Sequence, residues 1–286
     1  MSIDSHQHFW RYDPRRDTWI TDEMSVLKRD FLPSDLLPEL TANGVDGSVA
    51  VQASQAEEET QFLLDLARQC PAIAGVIGWT DLRARSLPQR LAYYSQFRKL
   101  RGFRHILQSE PDDHFMLRDD FSRGVGHLRE FNFTYDILIY AKQLPAAIEL
   151  AGRFPEQPFV LDHIAKPSIR TRGIAPWSKH MHEIAESPNV YCKLSGLITE
   201  ADWHNWRPDD FQPFLDVVFE AFGPDRLMFG SDWPVCLVAG TYRQVKELIV
   251  GYTRNLGSTE KEKIFGLNAV RFYSLEATQH GPATQG

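Results

Sequence analysis

Cysteine is scarce. Cys70, Cys192 and Cys236 are odd in number, far apart and without a CxxC pair, which excludes a disulfide framework or a cysteine zinc site and suits a reducing compartment. They read as reduced thiols that serve as small buried hydrophobes. Long apolar runs are also missing, since no segment reaches the roughly 20 residues of a membrane span. The first residues lack the basic-then-apolar order of a secretory leader, so the expectation is a cytoplasmic chain with no membrane partner. Positive charge is the minority sign: 31 Lys and Arg stand against 38 Asp and Glu, and no basic run occurs. The resulting charge of −7 argues against a nucleic-acid partner and favours small polar ligands. Two catalytic signatures are absent too. There is no G-x-S-x-G elbow, and "GVGHLR" (Gly124 to Arg129) lacks the third glycine and the preceding strand of a dinucleotide turn.

What is present is a chain of 286 residues, 43% hydrophobic and 12% aromatic, able to bury a large core. Short β-branched or aromatic runs alternate with helix-period stretches. Strands are expected to begin near Ile3, Ser48, Ala74, Arg101, Phe133, Phe159, Val190 and Leu227. Helices are expected over Glu57 to Gln69, Pro88 to Leu100, Leu144 to Phe154, Pro213 to Phe222 and Tyr242 to Asn255, with a last one opened by a Thr259–Glu262 capping box. Eight strand–helix units at this spacing predict an α/β fold, a single-domain (β/α)8 TIM barrel over residues 1–275, followed by a flexible tail at 276–286. Two long excursions, "RYDPRRDTWITDEMSVLKRDFLPSD" and "TEADWHNWRPDD", follow strands one and seven and are placed to wall a pocket.

In such a barrel the chemistry sits at the C-terminal ends of the strands, so "DSHQH", "RGFRH", "LDHIAKP" and "FGSDWP" are the candidates. Side chains at i and i+2 of a strand share a face, which lines up Asp4, His6 and His8 and lets both imidazoles reach one atom. With Asp232 from the last strand they are a ligand set that a divalent ion, zinc by preference, would accept with a position left for water. His163 and Lys166 follow strand six. Arg104 and His105 end strand four, where alternation sends them to opposite faces; either is suited to hold a developing oxyanion. Gln52, Trp79, Tyr140 and Trp233 offer hydrogen bonds and flat apolar walls to a polyhydroxylated ring. His180 and His182 fall on a helix, where i and i+2 diverge, and read as a solvated face.

Taken together, "DSHQHFW", "RGFRH", "LDHIAKP", "KLSGL" and "MFGSDWPV" resemble the amidohydrolase superfamily, in its sugar-lactonase branch, from Ile3 to about Tyr273. The resemblance implies a distorted (β/α)8 barrel with His6, His8, His163 and Asp232 at its mouth. It also implies hydrolysis of an aldonolactone from a deoxysugar such as L-fucose. Strand five, "FTYDILIY", offers Asp136 where many members carry another metal-binding Lys or His, so one ion is expected rather than two, and activity need not depend on it. In the expected mechanism Asp232 deprotonates water, Arg104 or His105 holds the oxyanion, and Asp232 or His163 protonates the departing ring oxygen. The rival readings are a metal-dependent decarboxylase of an aromatic acid on the same barrel and a catalytically silent sugar-binding barrel.

Overall fold

The computed structural model describes residues 1–276. Its eight strands are β1 (Ile3–Gln7), β2 (Gly47–Val51), β3 (Ile73–Gly78), β4 (Leu100–His105), β5 (Thr134–Ile137), β6 (Phe159–Leu161), β7 (Val190–Leu194) and β8 (Leu227–Phe229). They hydrogen-bond in sequence order, and every pairing is parallel. Because parallel neighbours need a crossover, each strand is followed by a helix: α1 (Pro33–Ala42), α2 (Glu57–Gln69), α3 (Leu87–Tyr94), α4 (Asp119–Leu128), α5 (Leu144–Arg153), α6 (Trp177–Ala185), α7 (Pro208–Phe222) and α8 (Tyr242–Tyr252). The result is the expected (β/α)8 barrel.

β1 and β8 do not form a regular ladder. They meet at one parallel bridge, Gln7 with Trp233, flanked by the backbone bonds His8 N–H to Trp233 O (2.7 Å) and Asp232 N–H to His6 O (2.8 Å). Side chains complete the seam: Asp4 accepts from the backbone N–H and hydroxyl of Ser231 at 2.9 and 2.6 Å, and Ser5 donates to Phe229 O at 2.7 Å. Buried carboxylates need such partners. After α8 the chain forms α9 (Ser258–Glu262), a π-turn and α10 (Asn268–Phe272). Ala269 and Phe272 of α10, with Tyr273 just beyond it, pack with Ile3, Val49, Ile77, Val160 and Met228 in a cluster of their own, separate from the larger core under the outer helices.

Several expected boundaries move. α3 stops at Tyr94, because Leu100 is already in β4. α7 begins a turn earlier than Pro213, with Pro208 in its first turn and the Asp210 carboxylate accepting from Arg207 N–H at 2.9 Å. The expected Thr259–Glu262 box is replaced by a pair two residues earlier: Gly257 N–H donates to Glu260 at 2.8 Å, and Thr259 lies inside α9. Cys192 and Cys236 are buried and Cys70 half-buried, all as free thiols. His180 and His182 lie on α6, half-buried and exposed respectively. No helix among the described residues is long and apolar enough to cross a membrane. The tail expected at 276–286 lies, from residue 277 onward, outside the described residues.

Candidate active site

The site grows from the β1–β8 seam. His6 and His8 share a face at the end of β1, and their Nε2 atoms stand 3.2 Å apart. Asp232 follows β8 with a left-handed backbone (φ +56°), which turns its carboxylate toward them: Oδ1 is 3.3 Å from His8 Nε2 and 3.9 Å from His6 Nε2. His8 Nδ1 is 2.7 Å from Val51 O, and a carbonyl only accepts, so Nδ1 carries the proton and Nε2 presents a lone pair. A tetrahedral zinc ion with bonds of about 2.0–2.2 Å sets its ligand atoms roughly 3.3–3.6 Å apart. The three donor atoms, 3.2 to 3.9 Å apart, lie near that spacing and close enough together to share one ion. His6, Asp162 and His163 form a second group with atoms close enough to share a cation.

His163 reaches the same place by an unusual route. After β6 the residues His163, Ile164, Ala165 and Lys166 all have left-handed backbones, φ +54°, +47°, +58° and +46°. For non-glycine residues this costs about 1–2 kcal/mol each, and such strain persists only where the surroundings enforce it. Here Ile164 and Ala165 are wholly buried, and Trp177 Nε1–H donates to Ile164 O at 2.8 Å. The turn aims His163 Nε2 to within 3.9 Å of Asp232 Oδ1, with Nδ1 2.9 Å from Ser195 Oγ. Gly196, at φ +61°, lies flat against that ring, where a β-carbon would come within 2.5 Å of Nδ1.

Strand alternation separates Arg104 from His105. Arg104 is the one beside the cluster: Nη1 lies 3.0 Å from Asp162 Oδ2 and 3.3 Å from His6 Nε2, and Nη2 donates to Gln52 O. Gln52 returns a bond from Nε2 to Arg104 O at 3.0 Å, and its buried Oε1 has no hydrogen-bond partner. His105 faces the other way. Both its ring nitrogens are engaged, by Glu110 at 2.7 Å and by the Trp79 indole at 3.3 Å, and its ring stacks on Phe115, so it has no free donor for a substrate. Trp79 is committed to that contact. Trp233 is 2% exposed and packs edge-on against Phe9 and Phe31, which makes it a wall of the core rather than of an open pocket. Tyr140 lies past the end of β5 and is exposed, with Lys166 Nζ 5.6 Å above its ring.

Beneath the imidazoles lies a charged network that the sequence reading missed. Lys193 of β7, fully buried, places Nζ 2.5 Å from Asp136 Oδ2, 3.0 Å from Asp162 Oδ1 and 3.2 Å from His6 Nδ1. The Tyr273 hydroxyl donates to Asp136 Oδ2 at 2.8 Å. Two cations, Lys193 and Arg104, thus face two carboxylates, Asp136 and Asp162, as buried charges require. The available signal was a lone ionisable residue inside each of the apolar runs "FTYDILIY" and "VYCKL".

Burial sets the protonation states. It drives His163 down to about 4, against the pull of Asp232 and Asp162, and drives His6 well below its ordinary value. Both imidazoles are neutral at pH 7. Burial works to raise Asp232, and the imidazoles of His163, His8 and His6 outweigh it, holding the carboxyl below its ordinary range and ionised. Burial pushes Glu59, whose carboxylate accepts from the N–H groups of Ala53 and Ser54 just after β2, up to about 7. A neutral imidazole pair, an ionised carboxylate and a fixed guanidinium can bind a cation, accept a proton from water and stabilise an oxyanion.

Known proteins resemble this chain over nearly its whole length. The chain is 44% identical to an L-fucono-1,5-lactonase of Burkholderia multivorans and 36% identical to one of Burkholderia ambifaria, with 96% of both chains covered in each case. It superposes with a TM-score of 0.92 on a crystal structure of an amidohydrolase from Burkholderia multivorans with bound zinc, at 44% identity, covering 96% of this chain and 100% of that one. The amidohydrolase family model matches residues 3–275, from the start of β1 through the last helix, and the chain belongs to that family.

Proposed function

We propose that this protein hydrolyses a sugar lactone, of the class of L-fucono-1,5-lactone, to the sugar acid. The observation that carries the reading is the meeting of Asp232 with His6, His8 and His163, beside the Arg104 guanidinium, at one barrel mouth. The near-full-length similarity to L-fucono-1,5-lactonases supports the substrate class, and three free thiols support a cytoplasmic setting.

Ionised Asp232 takes a proton from water as the water oxygen bonds to the lactone carbonyl carbon. The carbonyl oxygen gains negative charge, and Arg104, fixed by Asp162 and Gln52, is the donor positioned to hold it; one such donor is worth about 3 to 4 kcal/mol of barrier. Collapse breaks the bond from that carbon to the ring oxygen. The ring oxygen leaves as a hydroxyl with a proton from Asp232, or from His163 where the proton has passed to that neutral imidazole. A zinc ion held by His6, His8 and Asp232 would supply Lewis acidity and a lowered water pKa. Gln52, whose Oε1 has no partner in the protein, and Lys166 and Tyr140 are our candidates for contacts to the substrate's hydroxyls and ring.

A pH-indicator screen of aldonolactones, run with and without chelator, tests the reading. Acid release from fucono-, galactono- or arabinono-lactone is the expected result. Inactivity on all of them, with carbon dioxide released from an aromatic acid, would move the assignment to the decarboxylase.

A further inference from the structure

Glu200 ends the short turn Ile198–Glu200 after β7, and Lys166 ends the left-handed turn after β6. Their side chains face each other at the rim, Lys166 Nζ 3.7 Å from Glu200 Oε1, only 17% and 23% exposed. That separation exceeds an N–H···O bond, so the charges attract without using up their hydrogen-bonding capacity. Both lie close to the reacting groups. Burial pushes the Glu200 carboxyl up, and the Asp232 charge adds to the rise while Lys166 opposes it; Lys166 in turn helps keep His163 neutral.

An ammonium and a carboxylate held slightly apart match two adjacent hydroxyls. One hydroxyl donates to the carboxylate, and its neighbour accepts from the ammonium. Tyr140, under the same ammonium, offers its face to the carbon-bound hydrogens of a sugar ring. We infer that Lys166 and Glu200 form a diol-reading subsite, which makes Glu200 a specificity-determining residue for lactones with vicinal hydroxyls. The inference rests on the lactonase reading.

The test compares L-fucono-1,5-lactone with unsubstituted δ-valerolactone in wild type, Glu200→Gln and Lys166→Met. Losing one charge-assisted hydrogen bond is expected to raise KM for the hydroxylated lactone about tenfold or more. Its kcat should move much less, and the preference in kcat/KM for the hydroxylated over the plain lactone should fall about tenfold. Lys166→Met gives an independent readout if Glu200→Gln folds poorly. An unchanged preference in both variants, or an equal loss on both lactones, overturns the inference alone. A wild type that opens neither lactone overturns the lactonase reading and this subsite with it.

Discussion

Asp232 combines a left-handed backbone with an ionised, almost wholly buried carboxylate. Asp232→Asn keeps the shape and removes the base, so kcat for lactone opening should fall about 10²- to 10⁴-fold, measured by acid release with the folded fraction checked by circular dichroism. Arg104→Lys keeps the charge but loses the fork that spans Asp162, Gln52 and His6, and should cost about 10²-fold in kcat. Glu59 gives a pH signature. Its carboxyl rises from an ordinary 4.5 to about 7 in the fold, so the folded protein binds the extra proton and stability is lost as pH climbs from 4.5 through 7. Glu59→Gln cannot ionise and should escape this loss. Urea unfolding should show the variant gaining on wild type by on the order of 3 kcal/mol between pH 4.5 and 8. At this scale the sequence was readable where chemistry repeats a spacing, as with His6 and His8, and unreadable where a partner is brought by the fold. Nothing local in "VYCKL" says that Lys193 will meet Asp136, Asp162 and His6.

Strands were legible because an apolar run bounded by turn residues has few alternatives: four of the eight begin at the expected residue and the rest within one position. Alternation along β4 likewise foretold that Arg104 and His105 would part, though not which would face the cluster. The left-handed turn at 163–166 was not legible, since it contradicts the intrinsic preference of every residue in it and is imposed by burial and by Trp177. Gly196 is the hinge of that arrangement. Gly196→Ala combines an unfavourable φ with a β-carbon 2.5 Å from the His163 ring, so it should lower unfolding free energy by roughly 2–4 kcal/mol and reduce kcat/KM together. Gly152→Ala, in α5 with open space around it, should instead raise stability by about 0.5–1 kcal/mol. Thermal denaturation of the two variants side by side distinguishes strain at the site from a generic glycine effect.

Over the whole molecule the site is held from below as well as at the rim. Tyr273, just past α10, sends its hydroxyl to Asp136, whose other oxygen lacks a hydrogen-bond partner. Tyr273→Phe should therefore cost about 1–3 kcal/mol in urea unfolding, by weakening the solvation of a buried carboxylate. That segment follows the last strand by more than a full helix, so no local pattern linked it to β5. The seam between β1 and β8 has a consequence for how the molecule comes into being. His6 and His8 are synthesised long before Asp232, so the ligand set cannot exist until the chain has been made through β8. Closure of so non-local a seam is expected to come late in assembly, and capture of an ion by the finished triad would act as a clasp on the ring itself.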